Sequence, residues 1–292
     1  MKTILVPTDF SKNAHNAMRY AAGLASQVEA KIIIAHIIHL PVAPLESGMV
    51  ITPDMHLEED FSLELGTLAN NLRQEYNNQF AIETICQYGY LTGDLNDLVK
   101  THQVDLVVMG THGATNFLDK LIGTNSSEFS KSAVCPVLII PAVAQFKQIK
   151  HIAYASDFES EEGVFLRQLF SIAQLFQAKV SIINVIDDKE LNILSDTQVV
   201  EDITSQFPEV VYSIAQMRIH DVLEGLHAFV EESQADVLAV SIHKRGFFDE
   251  LFHSSISKKL IYHTTSPLLT LPENPYQKSW ESTSTHSPYS SI

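Results

Sequence analysis

Apolar positions along this chain fall into two alternating patterns. Ile4 to Val6 is a short continuous apolar run, stopped by Pro7 and followed by a polar turn. Ser11 then sits where it can cap a helix, with Ala14, Ala17, Met18, Ala21, Leu24, Ala25 and Val28 on one face. Ile32 to Ile38 is β-branched nearly throughout, the pattern of a strand covered on both sides of a parallel sheet. A Pro-bearing loop from Pro41 to Pro53 precedes a helix predicted over 57–77. The remaining signals predict a strand over 81–88, a helix over 95–101, a strand over 106–109, a helix over 126–132 and a closing strand over 137–140. Strand and helix alternate throughout, which predicts an open α/β sheet with helices on both faces.

The pattern then starts again. Lys2-Thr3-Ile4-Leu5-Val6-Pro7-Thr8-Asp9-Phe10 recurs as Lys150-His151-Ile152-Ala153-Tyr154-Ala155-Ser156-Asp157-Phe158, an offset of 148 residues. Further along, Val104-Asp105-Leu106 matches Ala235-Asp236-Val237, and Pro136-Val137-Leu138 matches Pro267-Leu268-Leu269, both at an offset of 131. A repeat of this kind decides the architecture. It predicts two similar domains, 1–142 and 149–273, joined by a linker over 142–148, with the second domain shorter in its middle. Its strands are expected at 152–154, 180–186, 210–214, 237–241 and 268–271. The Ser- and Thr-rich stretch 274–292 lacks apolar periodicity and is expected to be a disordered tail.

Composition narrows the function. The formal net charge is −16 and no Lys/Arg cluster occurs, so a nucleic-acid partner is not expected. No apolar run approaches the roughly 20 residues of a membrane helix, and the start turns polar at Thr8-Asp9, too early for a signal peptide. These features lead to the expectation of a cytoplasmic protein. Cys86 and Cys135 have no metal or redox spacing and are expected to be reduced thiols. Among the 13 histidines no metal-binding framework appears, and His36, inside the second strand, reads as a hydrogen-bonded core residue. His112 and Lys120, in the glycine-bounded segment described next, are weaker phosphate candidates.

The chemistry concentrates after the fourth strand, where Gly110-Thr111-His112-Gly113 is followed by Gly123-Thr124-Asn125-Ser126. Glycine lets a ligand approach the backbone without a Cβ in the way. The N–H groups opening a helix, with the Thr124 and Ser126 hydroxyls, make an anion site suited to phosphate. No nucleophile or general base accompanies it.

The Gly-x2-Gly-x9-Gly-Thr spacing, the opening Val6-Pro7-Thr8-Asp9-Phe10-Ser11 and the closing Cys135-Pro136-Val137-Leu138-Ile139-Ile140 resemble the universal stress protein family. The resemblance implies two flavodoxin-like parallel sheets of strand order 3-2-1-4-5, packed through their last strands as an internal pseudo-dimer. It implies ATP (or AMP or ADP), with Mg2+ held by the phosphates, at the ends of strands 1 and 4. Carried over by position, Thr8, Asp9, Ile37, Met109 and Gly110 would lie by the nucleoside, and Gly113, Gly123, Thr124, Asn125 and Ser126 by the phosphates. Asn125 departs from the small apolar residue common there. Nucleotide is expected to order the 41–60 segment and the 111–126 loop.

The second half has the same frame and a different site. Gly110, Gly113, Gly123 and Thr124 become Ser241, Lys244, Ser254 and Ser255. Side chains replace bare backbone at three positions. The expectation is a stress-response regulator with ATP in the first half and a structural or regulatory second half. A nucleotide-independent interaction module and a slow ATPase remain as alternatives, and a further homodimer stays open.

Overall fold

A computed structural model describes residues 2–39, 55–111, 124–156, 158, 162–186, 201, 203–208, 210–219, 222–242 and 266–276. In chain order the first repeat comprises β1 (Thr3–Pro7), α1 (Lys12–Val28), β2 (Lys31–His39), α2 (Met55–Glu75), β3 (Ile82–Gly89), α3 (Leu91–Thr101), β4 (Leu106–Gly110), α4 (Thr124–Ser132) and β5 (Val137–Ile140). The second comprises β6 (His151–Ala155), α5 (Glu162–Phe176), β7 (Lys179–Ile186), β8 (Tyr212–Arg218), α6 (Val222–Ser233), β9 (Val237–Ile242) and β10 (Leu268–Pro272).

The strands form one ten-stranded sheet, ordered β3-β2-β1-β4-β5-β10-β9-β6-β7-β8. Every pairing within a repeat is parallel, and the two repeats meet where β10 pairs antiparallel with β5, Leu269 opposite Leu138. Successive residues of a strand face opposite layers. Ile4, Val6, Ile32 and Ile34 therefore pack with α1 and α2, while Leu5, Ile33 and Val107 pack with α3 and with Phe129 of α4. The first of these layers continues into the second repeat through Leu138, Ile152, Phe165 and Leu269. Burying one such aliphatic or aromatic side chain is worth about 1.5–3 kcal/mol. An exposed ion pair such as Arg19–Glu75 (3.2 Å) gives about 0–1 kcal/mol. Burial, not surface charge, holds this sheet together.

The repeat extends to individual backbone conformations. Left-handed φ values, unusual without glycine, recur at Phe10 and Phe158 (61° and 56°), at Glu29 and Gln177 (both 54°), and at Gln103 and Gln234 (51° and 53°). Glu29 ends α1, and the next amide, on Ala30, donates to the Ala25 carbonyl; Ala178 donates to Ala173 in the same way. Asp105 accepts from the Thr3 amide and Asp236 from the Lys150 and His151 amides, pinning the foot of the central strand in each repeat. The shared Asp is thus a structural tie.

Where the two repeats join, α1 buries more than a one-sided helix would. Beyond the face read from the sequence, Tyr20, Ala22 and Gly23 are also buried. Phe146, after β5, packs edge-on to Tyr20 with ring centroids 5.4 Å apart. It lies so close to Gly23 that a Cβ there would meet the ring at 2.3 Å. Burial raises the Tyr20 phenol well above its ordinary pKa, and the Asp236 carboxylate adds to the effect. Asn16 donates to the carbonyls of Pro141 (3.1 Å) and Ala144 (3.0 Å), and Gln168 donates to that of Pro272 (2.9 Å). Both cysteines are free thiols. Residues 274–276 are described and the remainder of the expected tail lies outside the described residues, as do 41–54 and 112–123.

One strand differs clearly from its expected span. The signal at 210–214 predicts a strand that the structure places at Tyr212–Arg218. Among the described residues β8 pairs with β7 alone and stands at the sheet edge, so polar Gln216 and Arg218 are tolerated and do not end it.

Candidate functional site

The sheet changes winding direction at β1, which has β2 on one side and β4 on the other. In open α/β sheets, ligands bind at the carboxyl ends of strands flanking such a point. The residues that follow β1 and end β4 meet here. The ladder pairs Ile4 with Leu106 and Leu5 with Val107, so the turn after β1 and the end of β4 lie at the same end of the sheet.

The turn after β1 is built by its own side chains. Thr8 is buried; its amide donates to the Ala35 carbonyl (2.8 Å), and its Oγ1 accepts from the Phe10 amide (3.0 Å). Asp9 is exposed, and its Oδ1 accepts from the Ser11 amide at 3.0 Å. Ser11 caps α1 by accepting from the Ala14 amide (3.2 Å). From β2, His36 Nδ1 reaches the Thr8 carbonyl at 2.7 Å. The His36 ring lies 4.7 Å from that of Phe10 and 4.4 Å from that of Phe61 on α2; the two phenyl rings stack on each other at 5.4 Å. His36 pairs in register with Cys86 of β3. Burial raises the Cys86 thiol above its ordinary pKa, a hydrogen bond with Ser62 opposes this, and Glu58 adds to it.

Ile37 packs with the layer on the α3 and α4 side, and so does Met109, whose side chain is buried. Its backbone, rather than its thioether, borders the strand ends. Gly110 has a definite steric reason. A Cβ on it would stand 2.5 Å from the Asn13 carbonyl oxygen, so the first turn of α1 occupies the space a side chain would need. The Thr111 amide continues the β4 edge by donating to Ile140 (3.0 Å).

The helix opening at Thr124 follows, with Asn125 exposed and Ser126 buried. Ser126 Oγ donates to the Gly110 carbonyl at 2.8 Å, tying α4 to the end of β4. Thr8, Asp9, Gly110 and Ser126 are thereby gathered at one strand end. Gly113, Gly123, the Thr124 side chain, His112 and Lys120 lie outside the described residues. Among the described residues no group of three or more His, Cys, Asp or Glu is placed to hold a metal ion, and no helix is long and apolar enough to cross a membrane.

The equivalent corner of the second repeat keeps the turn and changes its surroundings. The Ser156 amide donates to Ile183 (2.9 Å), and Ser156 Oγ accepts from the Phe158 amide (3.0 Å), as Thr8 does for Phe10. Glu162 stands where the offset puts Ala14. Its carboxylate takes hydrogen bonds from the buried Tyr154 hydroxyl (2.7 Å) and from Ser156 Oγ (2.5 Å). Ser241, the counterpart of Gly110, is 1% exposed, and its hydroxyl has no hydrogen-bond partner among the described residues. Sequence reasoning did not single out Phe10, Phe61 or Asn13 for this corner, and it read Glu162 as a helix-start or surface charge; Glu162 does open α5. The available signal was the repeat itself, read position by position.

Comparison with known proteins agrees with this internal duplication. A model of the universal stress protein family matches the chain twice, over residues 1–141 and 148–272. Universal stress protein Slr1230 of Synechocystis is 22% identical over 298 residues, spanning 92% of this chain and 99% of its own. Universal stress protein MJ0577 of Methanocaldococcus jannaschii is 26% identical over 153 residues, covering 48% of this chain and 94% of its own. Among solved structures, a universal stress protein from Archaeoglobus fulgidus superposes over 92% of this chain and 98% of its own, with a TM-score of 0.68 at 16% identity. With both repeats matched by one family and relatives of half and full length, the chain belongs to the universal stress protein family as a tandem member.

Proposed function

We propose that the first domain, 1–142, binds an adenine nucleotide, ATP with its Mg2+, and that the second, 149–273, serves as a structural or regulatory partner in an internal pseudo-dimer. The protein is then a cytoplasmic nucleotide-responsive regulator. The observation that carries this reading is the asymmetry at the switch point. A glycine, Gly110, ends β4 against the first turn of α1 in one repeat, and a buried serine, Ser241, takes that position in the other.

The residues present fit such a ligand. Asp9 is exposed beside the turn for polar contact with the nucleoside, and α4 opens directly after the glycine segment, where its first N–H groups favour anionic oxygens. Gly113, Gly123, Thr124 and Asn125 would hold the phosphates, and Mg2+ would be carried by the phosphates themselves. The bound nucleotide supplies negative charge and a planar base. The chain supplies backbone donors and shape, and the described residues around the turn include no general base aimed at a phosphate. Binding shifts the protein only toward conformers that hold the nucleotide better. The 41–60 segment and the loop over 111–126 are the parts proposed to respond.

A second reading, an interaction module that does not use nucleotide, draws on one observation: the Thr8 and Ser126 hydroxyls already serve internal hydrogen bonds. Calorimetric titration with Mg-ATP separates the two. Saturable binding by the wild-type chain, abolished in Gly113→Lys, which copies Lys244, supports the nucleotide reading. A folded wild-type chain that takes up none at millimolar ligand favours the interaction module.

A further inference from the structure

The turn after β1 is held in a conformation that a phenylalanine rarely adopts, with φ of 61° at Phe10. Such residues persist only where the surroundings over-determine them. Two of the restraints are local, the Phe10 amide on Thr8 Oγ1 and the Ser11 amide on Asp9 Oδ1. The third comes from the neighbouring strand, where His36 Nδ1 meets the Thr8 carbonyl at 2.7 Å. A carbonyl only accepts, so Nδ1 carries the proton and donates.

The second repeat performs the same task with a different side chain. Asn184, at the 148-residue offset from His36, donates through Nδ2 to the Ser156 carbonyl at 2.8 Å, and Phe158 adopts a φ of 56°. Gln216 Nε2 donates to Asn184 Oδ1 (3.0 Å), which fixes the amide the right way round. In the first repeat that buttress is replaced by the Phe10 and Phe61 rings on the imidazole. Two chemically unlike side chains converge on one bond. What the turn requires at this place is an N–H donor, not an aromatic ring or a charge.

Resting on the nucleotide reading above, we propose that His36 is a positioning residue of the nucleotide site: its N–H grip on the Thr8 carbonyl fixes the Thr8–Asp9–Phe10 turn and so sets where Asp9 is presented to the ligand. Without the grip the turn spends time in other conformers, and apparent affinity falls in proportion to the fraction still competent.

The test uses the full chain with His36→Asn, which copies the second repeat, His36→Leu, which removes the donor, and Asn184→Leu as the control in the other half. Mg-ATP affinity is measured by calorimetry, and exchange of the Phe10, Ser11 and Phe158 amides by NMR without nucleotide. His36→Leu is expected to weaken ATP about tenfold and speed exchange at Phe10 and Ser11, whereas His36→Asn stays within about threefold of wild type. Asn184→Leu is expected to speed exchange at Phe158 and leave ATP affinity unchanged. Wild-type affinity and exchange in His36→Leu, or an Asn variant as impaired as the Leu variant, overturns the proposal. If wild-type protein binds no ATP, the nucleotide reading fails and so does the ligand half of this proposal, while the amide exchange judges the grip separately.

Discussion

The two strand-end corners share a backbone and differ in what fills it. After β1 and after β6 the chain makes the same turn, with a hydroxyl accepting from the amide two residues on and a phenylalanine in the left-handed region. Beyond the turn they diverge. In the first repeat Gly110 yields its side-chain space to the Asn13 carbonyl, and Asp9 is left at the surface. In the second repeat a carboxylate, Glu162, gathers the Tyr154 and Ser156 hydroxyls, and a serine fills the glycine position. The comparison teaches that the turn belongs to the fold, whereas the proposed site depends on the few side chains that were kept away from it.

The comparison breaks most severely if the second repeat's serine is moved into the first. In Gly110→Ser the new Cβ meets backbone that a side-chain rotation cannot clear. We expect a loss of about 3 kcal/mol in urea unfolding, the upper end for overpacking, together with lost ATP affinity. An unchanged midpoint would show that α1 yields freely. Next comes Glu162→Ala, which removes the carboxylate that accepts from the Tyr154 and Ser156 hydroxyls. A cost of about 2 kcal/mol is expected, with Glu162→Gln recovering part of it and ATP affinity in the first repeat unaffected.

A third difference lies at the foot of the central strands, where Thr3 in one repeat becomes His151 in the other. His151 is buried; its Nδ1 donates to the Ser233 carbonyl (3.1 Å), and its Nε2 accepts from Ser181 (2.8 Å). Burial lowers its pKa, and Lys179 adds to this, against smaller opposing effects from the Ser233 carbonyl and Asp236. The folded state therefore favours neutral imidazole and the unfolded chain binds the proton more readily. This contribution is full above the unfolded value of about 6.5 and is lost as pH falls from there toward the folded value. His151→Thr should flatten the acid side of the stability profile in denaturant melts; an identical slope would exclude His151 as its source. The smallest effect is expected from Ser241→Ala. Removing a buried hydroxyl that has no partner among the described residues should raise stability by up to about 1 kcal/mol, and a marked loss would mean that the hydroxyl is used.

Much of this architecture was legible in the residue pattern because buried parallel strands read as unbroken apolar runs. The run 137–140 coincides with β5, and Ile32 to Ile38 falls inside β2. What escaped was set by contacts far apart in sequence. The added buried face of α1 exists because the segment after β5 returns over Gly23, which no helical periodicity reveals. Gly110 was legible as special, but the reason the structure gives is the Asn13 carbonyl of α1, which fills the space of a side chain. His36 read as a bonded core residue, yet its significance appears only when Asn184 is seen making the same bond. The glycine segment over 112–123 lies outside the described residues, so its reading rests on spacing and family membership.

The central claim is that one chain carries one nucleotide, in its first repeat. Native mass spectrometry of the intact chain with Mg-ATP counts this directly, with Gly113→Lys alongside to locate the occupied repeat. The account predicts a single bound nucleotide per wild-type chain and none in the variant. Two nucleotides per chain, or a variant that still retains one, would contradict it.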